Sequence, residues 1–141
     1  MRFVVRLIVL VVLLGVAFVA AVFIASEYGG EVVVLRTHDG AAERTTHVWI
    51  VDDGGFAYLR AGQPTNGWLL RIEANPDVVV ERGGQTYHFI AVPMHEPVVR
   101  DRIHALMREK YPLADRLISS IRDPDGSVPV RLDPVRTPQS P

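Results

Sequence analysis

A cation, hydroxyls, a helix start and a large aromatic fall in a suggestive order between residues 44 and 68. Arg44-Thr45-Thr46 opens one strand pattern, Arg60 closes the next, and Asn66-Gly67-Trp68 opens a short helix pattern. Such a set suits an anionic, planar ligand. Guanidinium and backbone N–H groups meet a phosphate, hydroxyls donate hydrogen bonds, and an indole walls a ring. The plainer reading of the same residues is structural: Arg44 and Arg60 as solvated arginines, and Trp68 as a plug fastening the helix to the core.

Other chemistries find less support. The five histidines are His38, His47, His88, His95 and His104, and none falls in a HExxH or comparable ligand spacing. His47 and His88 could share a strand face, but no metal site is expected. There is no cysteine, which excludes disulfides and thiolate sites. No GxSxG is present, and the serines lie at pattern edges, in helices or in the tail. Asp52 and Asp53 read as turn formers. No catalytic side chain is identified.

The elements that must position the first set are mostly short strands. Residues 31–37, 45–51, 56–61, 77–81, 86–92 and 127–132 are rich in β-branched and aromatic side chains. Asp53-Gly54-Gly55 and Arg82-Gly83-Gly84 mark hairpins, since such turns need positive φ. Thr65 is expected to cap a helix ending at Asn75-Pro76, with Trp68 and Ile72 one turn apart. Pro97 starts a second helix with the stripe Val99, Ile103, Leu106 and Met107. After Pro112 comes another stripe, Leu113, Leu117, Ile118 and Ile121. Six strands in consecutive antiparallel hairpins predict a mainly β, α+β fold: a small six-stranded barrel with flanking helices.

Ahead of this domain, residues 7–25 carry no charged or strongly polar side chain. At about 1.5 Å per residue such a helix roughly matches a 30 Å hydrocarbon core. The run exceeds a signal-peptide apolar region and lacks a good small-x-small site at its end, so an uncleaved anchor is expected over 3–25. Residues 26–30 make a short linker, 31–133 the barrel domain and 134–141 a disordered tail. Arg2 and Arg6 precede the run, and Glu27 and Glu31 follow it. The positive-inside rule then puts the N-terminus in the cytoplasm and the domain outside, as a single-pass membrane protein. Without those two arginines, 13 basic residues face 16 acidic ones, with Lys110 the only lysine. A mildly acidic domain without a basic stripe argues against nucleic acid.

Several stretches together resemble the deazaflavin-dependent nitroreductases, split β-barrels related to the FMN-binding, pyridoxamine-phosphate-oxidase-like barrels. They are Val34-Leu35-Arg36-Thr37, the segment from Arg44 to Trp49, and the segment from Asp53 to Arg60. The most telling is Trp68 followed by Ala74-Asn75-Pro76 and the run Val78-Val79-Val80. The resemblance spans about residues 31–133. It implies a split barrel, a deazaflavin (coenzyme F-420) or FMN cofactor, and hydride transfer to quinone-like or nitro-aromatic acceptors. Arg44 and Arg60 would then hold phosphate, Thr45 and Thr46 would donate to it, and Trp68 would wall the ring. A homodimer is a further implication. The family's basic phosphate loop corresponds here to the shorter, acidic residues 38–43. The alternative expectation is a non-catalytic barrel, without cofactor, that binds a ligand or partner at the membrane.

Overall fold

The computed structural model describes residues 1–28, 30–119 and 124–135. Two units are distinguished, Met1–Gly30 and Glu31–Pro141. The first is one helix, α1 (Arg2–Tyr28). Its stretch Arg2–Ala20 is long and apolar enough to cross a membrane, with a mean hydropathy of 3.0, a test that a signal sequence would also pass.

The second unit is a closed six-stranded antiparallel barrel. Its strands are β1 (Val32–Asp39), β2 (Ala42–Asp53), β3 (Phe56–Ala61), β4 (Asp77–Arg82), β5 (Gln85–Pro93) and β6 (Val128–Pro134). Their order around the wall is β1-β2-β3-β6-β5-β4, and β4 returns to β1 through Leu35↔Val80. The hairpins β1–β2, β2–β3 and β4–β5 are local. Closure is not: β6, last in the chain, inserts between β3 and β5 through Leu59↔Val130 and Ala91↔Leu132. Glycines sit at positive φ where tight turns require it, Gly54 at 59° and Gly83 at 57°.

Period-two alternation sends one set of side chains inward. Val33 and Leu35, Val48 and Ile50, and Leu59 and Ala61 belong to it, joined by Val78, Val80, Ala91, Val130 and Leu132. Helix α2 (Gly67–Ala74) completes this cluster with Trp68, Leu69 and Ile72, all buried. It packs against β1 and β5 and stoppers one end of the barrel. Asn66, rather than the expected Thr65, occupies its N-cap, without a side-chain hydrogen bond. Asn75 closes it as expected, its N–H bonding Arg71 O.

Helices α3 (Pro97–Lys110) and α4 (Pro112–Ser119) follow β5. The α3 stripe Val99, Ile103, Leu106 and Met107 packs on Trp49, Val51 and Tyr58, which point outward from β2 and β3. This is a second core, outside the wall. Of the fourth-helix stripe, the side chains of Leu117 and Ile118 and all of Ile121 lie outside the described residues, as does the tail 136–141. Pro134, expected at the start of that tail, instead ends β6.

Tyr111 joins the helical layer to the barrel. Its ring stacks on Trp49, centroids 4.7 Å apart. Its hydroxyl accepts the Ile50 N–H at 3.1 Å and lies 2.7 Å from Ile50 O and 2.5 Å from Glu31 O. Burial raises its pKa. Tyr111→Phe keeps the stack but leaves a buried N–H without its acceptor, so it is expected to cost about 1–3 kcal/mol in denaturant unfolding. Tyr111→Ala removes the ring as well and is expected to cost more.

Candidate functional site

Antiparallel strands give the barrel two chemically different ends. The stoppered end gathers the start of β2, the end of β3 and the start of α2, and therefore carries all five residues expected to hold a ligand. Chain direction brings them to one end; side-chain direction then separates them. Arg44 and Thr45 are exposed on the β1–β2 arm, and Arg44 pairs with Asp39 at 3.2 Å. Thr46 is half-buried. Trp68 points inward and is only 7% exposed.

Arg60 points outward, into the layer beneath α3 and α4. It donates to Asp115 Oδ1 at 2.9 Å, and its guanidinium lies 5.9 Å from the Trp49 ring centroid. Its side chain is 10% exposed and that of Asp115 3%. Arg44 and Trp49 are five residues apart on β2, about 17 Å at the usual strand rise. Arg44 and Arg60 therefore do not converge on one phosphate, and Trp68 does not share a surface with Arg60. A phosphate would fit at Arg44 and Thr45, because an exposed pair such as Arg44–Asp39 is worth only about 0–1 kcal/mol and exchanges readily. It would not fit at Arg60, whose charge already answers a buried carboxylate.

His104 on α3 completes the Arg60 cluster, with Nδ1 2.9 Å from the guanidinium. A guanidinium only donates, so Nδ1 accepts and the ring is neutral, its proton on Nε2. Burial, and then the Arg60 charge, lower the His104 pKa.

The other end of the barrel is an open cup of about 630 Å³. Its walls are the inward positions of five segments: Ile50, Ala57, Val80, Tyr87 and Phe89 below, with Glu31, Asp52, Arg82 and Gln85 at the rim. Arg82 lies between two carboxylates, reaching Glu31 at 2.7 and 2.8 Å and Asp52 at 2.8 and 2.6 Å. Lys110 adds a bond to Glu31 at 2.8 Å. This strap ties the start of β1 to the ends of β2 and β4. The Arg82 hydrogen bonds hold Glu31 down at about 2, Lys110 helping, and they also lower Asp52. Tyr87 donates to Gln85 Oε1 at 2.6 Å.

The sequence reads Glu31 as a helix flank and Asp52 and Arg82 as turn formers, none of them as a site residue. The signal was positional: Arg82 follows Val78 and Val80 at intervals of two, a charge in an apolar phase. Among the described residues, no group of three or more His, Asp and Glu side chains could hold a metal ion.

No family model matches the sequence, and no curated protein matches it. Solved structures do share its fold. One is a putative pyridoxamine 5'-phosphate oxidase from Listeria innocua, 17% identical, with a TM-score of 0.60 over 75% of this chain and 85% of that one. The heme storage protein HutZ from Vibrio cholerae is 15% identical, with a TM-score of 0.60 over 76% and 83%. An F420 reductase is 15% identical, with a TM-score of 0.55 over 79% and 93%. The barrel thus shares the fold of these structures.

Two outcomes follow for the Arg60 cluster. Arg60→Ala leaves Asp115 buried without its principal cation and is expected to cost about 3–5 kcal/mol, with Arg60→Met plus Asp115→Leu recovering most of it. His104 has a folded pKa below its ordinary 6.5, so the unfolded chain takes up the proton first. Its contribution is present above pH 6.5 and is lost as pH falls below it. Melting curves from pH 7.5 to 5 should show that slope, and His104→Asn, which keeps a neutral acceptor, should flatten it.

Proposed function

We propose that this chain is a membrane-anchored split-barrel oxidoreductase that takes a deazaflavin or FMN and delivers hydride to quinone-like or nitro-aromatic acceptors. The observation that carries the reading is the shared barrel: the likeness to an F420 reductase runs over 79% of this chain and 93% of that one. The pyridoxamine 5'-phosphate oxidase likeness points to the same class of cofactor. In this reading α1 stays uncleaved, its N-terminus is cytoplasmic and the barrel lies outside. Anchoring keeps the barrel at the membrane that dissolves such acceptors. The chain works as a homodimer.

The redox chemistry is the cofactor's when bound; the protein supplies binding and orientation. Arg44 receives an anionic group, exchanging Asp39 for it. Thr45 donates a hydrogen bond beside it, and Thr46 fixes the strand behind them. Arg60 and Trp68 act from within the fold. Arg60 locks the helical layer to β3, and Trp68 anchors the stopper beneath the arm.

A second reading is a split barrel that binds a ligand or partner without redox chemistry. The placement of Arg60 favours it, together with the acidic residues Asp39 and Glu43 beside Arg44, which oppose a phosphate.

Titrating the full chain in lipid nanodiscs with FMN and with the deazaflavin, read by quenching of tryptophan emission, decides between them. Micromolar binding of either, weakened about tenfold or roughly 1.4 kcal/mol by Arg44→Ala, is expected for the oxidoreductase. No quenching by either at millimolar concentration rejects it in favour of the second reading.

A further inference from the structure

Most arginines of the barrel domain are spent on carboxylates. Arg36, Arg44, Arg60, Arg82, Arg102 and Arg131 each pair with one. Arg71, on α2, differs: among the described residues no carboxylate pairs with it. Its Nε donates instead to the neutral Thr37 Oγ1 at 2.8 Å. Thr37 is fully buried, so one edge of the guanidinium is pinned to β1. A guanidinium carries five N–H donors, and those on Nη1 and Nη2 meet no protein acceptor among the described residues.

Thr37 also fixes where Arg71 stands relative to Arg44. The two strands pair with Thr37 directly opposite Arg44. Residues so paired share a face, with Cβ atoms about 5 Å apart. Arg44 and Arg71 therefore flank the same threonine, one from the arm and one from the helix. Asp39, exposed and bonded to Arg44 alone, is the single carboxylate paired with either, among the described residues. Glu43 does not add to it, since it pairs with Arg36. One positive charge is left over. Gly67 keeps the space open: a Cβ there would lie 3.3 Å from Arg71 Nη1.

We infer that Arg71 is the second cation of the anion site that begins at Arg44, and that the two guanidinia together hold a phosphate group. Arg71 meets it end-on, Nη1 and Nη2 each donating to one oxygen in the forked arrangement that suits phosphate. A dianionic phosphate displaces Asp39 from Arg44 and still answers both cations. Arg71 thus fills the role expected of Arg60, whose charge is committed to Asp115. The inference deepens the anion-binding part of the proposed function and rests on its placing of Arg44; it needs neither flavin nor hydride transfer.

The probe is inorganic pyrophosphate, titrated by calorimetry into the full chain in phosphatidylcholine nanodiscs, without any flavin. Saturable binding that weakens with added chloride is expected. Arg71→Gln keeps a donor for Thr37 but loses the charge and the fork, and should weaken binding about tenfold, as should Arg44→Gln. Gly67→Ala leaves both charges in place and crowds Nη1, the movable end of a long side chain. Alanine suits a helix better than glycine, so folding is not at stake. This variant should weaken binding about threefold. Arg102→Gln removes an exposed arginine bonded to Asp53, at the far end of β2, and should change nothing.

Absence of pyrophosphate binding overturns the inference. So does binding that Arg71→Gln and Gly67→Ala leave undiminished, or that Arg102→Gln weakens as much, which would report diffuse charge alone. Pyrophosphate binding that depends on Arg71, in a chain that binds neither FMN nor the deazaflavin, rejects the redox reading and keeps the inference. Flavin binding beside pyrophosphate binding indifferent to Arg71 does the reverse.

Discussion

Closure of the sheet is the constraint on which the rest of the barrel depends. Six strands close only if the last in the chain slides between the third and the fifth, pairing antiparallel with both. Once that happens, the backbone of the wall is satisfied internally and its inward side chains face only one another. An interior of valine, leucine and isoleucine then has two mouths, and each needs a solution. The chain uses a helix for one, driving Trp68, Leu69 and Ile72 inward. At the other it leaves a recess and ties the rim with a salt-bridged arginine. The difference between the two ends gives the molecule its chemical polarity.

Arginine does this tying repeatedly, and its geometry explains the preference. Arg82 spans two carboxylates, one just ahead of β1 and one on β2, because a planar guanidinium offers a fork on each side. Arg102 grips the single carboxylate of Asp53 with two bonds, at 2.9 and 2.6 Å, joining α3 to the end of β2. Arg36 pairs with Glu81 across β1 and β4, where the barrel closes on itself. Lys110, the only lysine, is also recruited, reaching Glu31 and the Ile50 carbonyl. Charges spent in this way are not available to a ligand. For that reason the arginines cannot be read from sequence as binding residues simply because they are arginines.

Much of the fold was legible in local patterns. The strands, the two glycine hairpins and the α3 stripe all follow from short-range spacing, and the structure reproduces them with small changes at the ends. β2 runs farther than its apolar alternation suggested, from Ala42, because its first residues pair only with β1 and need not be apolar. The pairing of β6 with β3 and β5 was not legible, since nothing local encodes contacts across such long separations. The ligand-binding expectation failed to anticipate direction. Arg60 and Trp68 lie toward the same end of the barrel, but one side chain points out of the wall and the other in. A parity of one residue decides that, and parity is fixed only once Leu59 is seen to face the core. The same parity would have exposed Arg82, had a charge in an apolar phase been given weight.

The long β1–β2 arm has a consequence of its own. From Ala42 to Val48, β2 pairs with β1, while its pairing with β3 begins only at Ile50. Where β3 does not reach it, β2 thus offers a short run of uncommitted edge, of the kind that invites strand addition and self-association. That run carries Glu43, Arg44 and His47, all exposed. A strand from another copy approaching it would have to desolvate charges of both signs to form a ladder. The arm can therefore project into solvent without seeding aggregates.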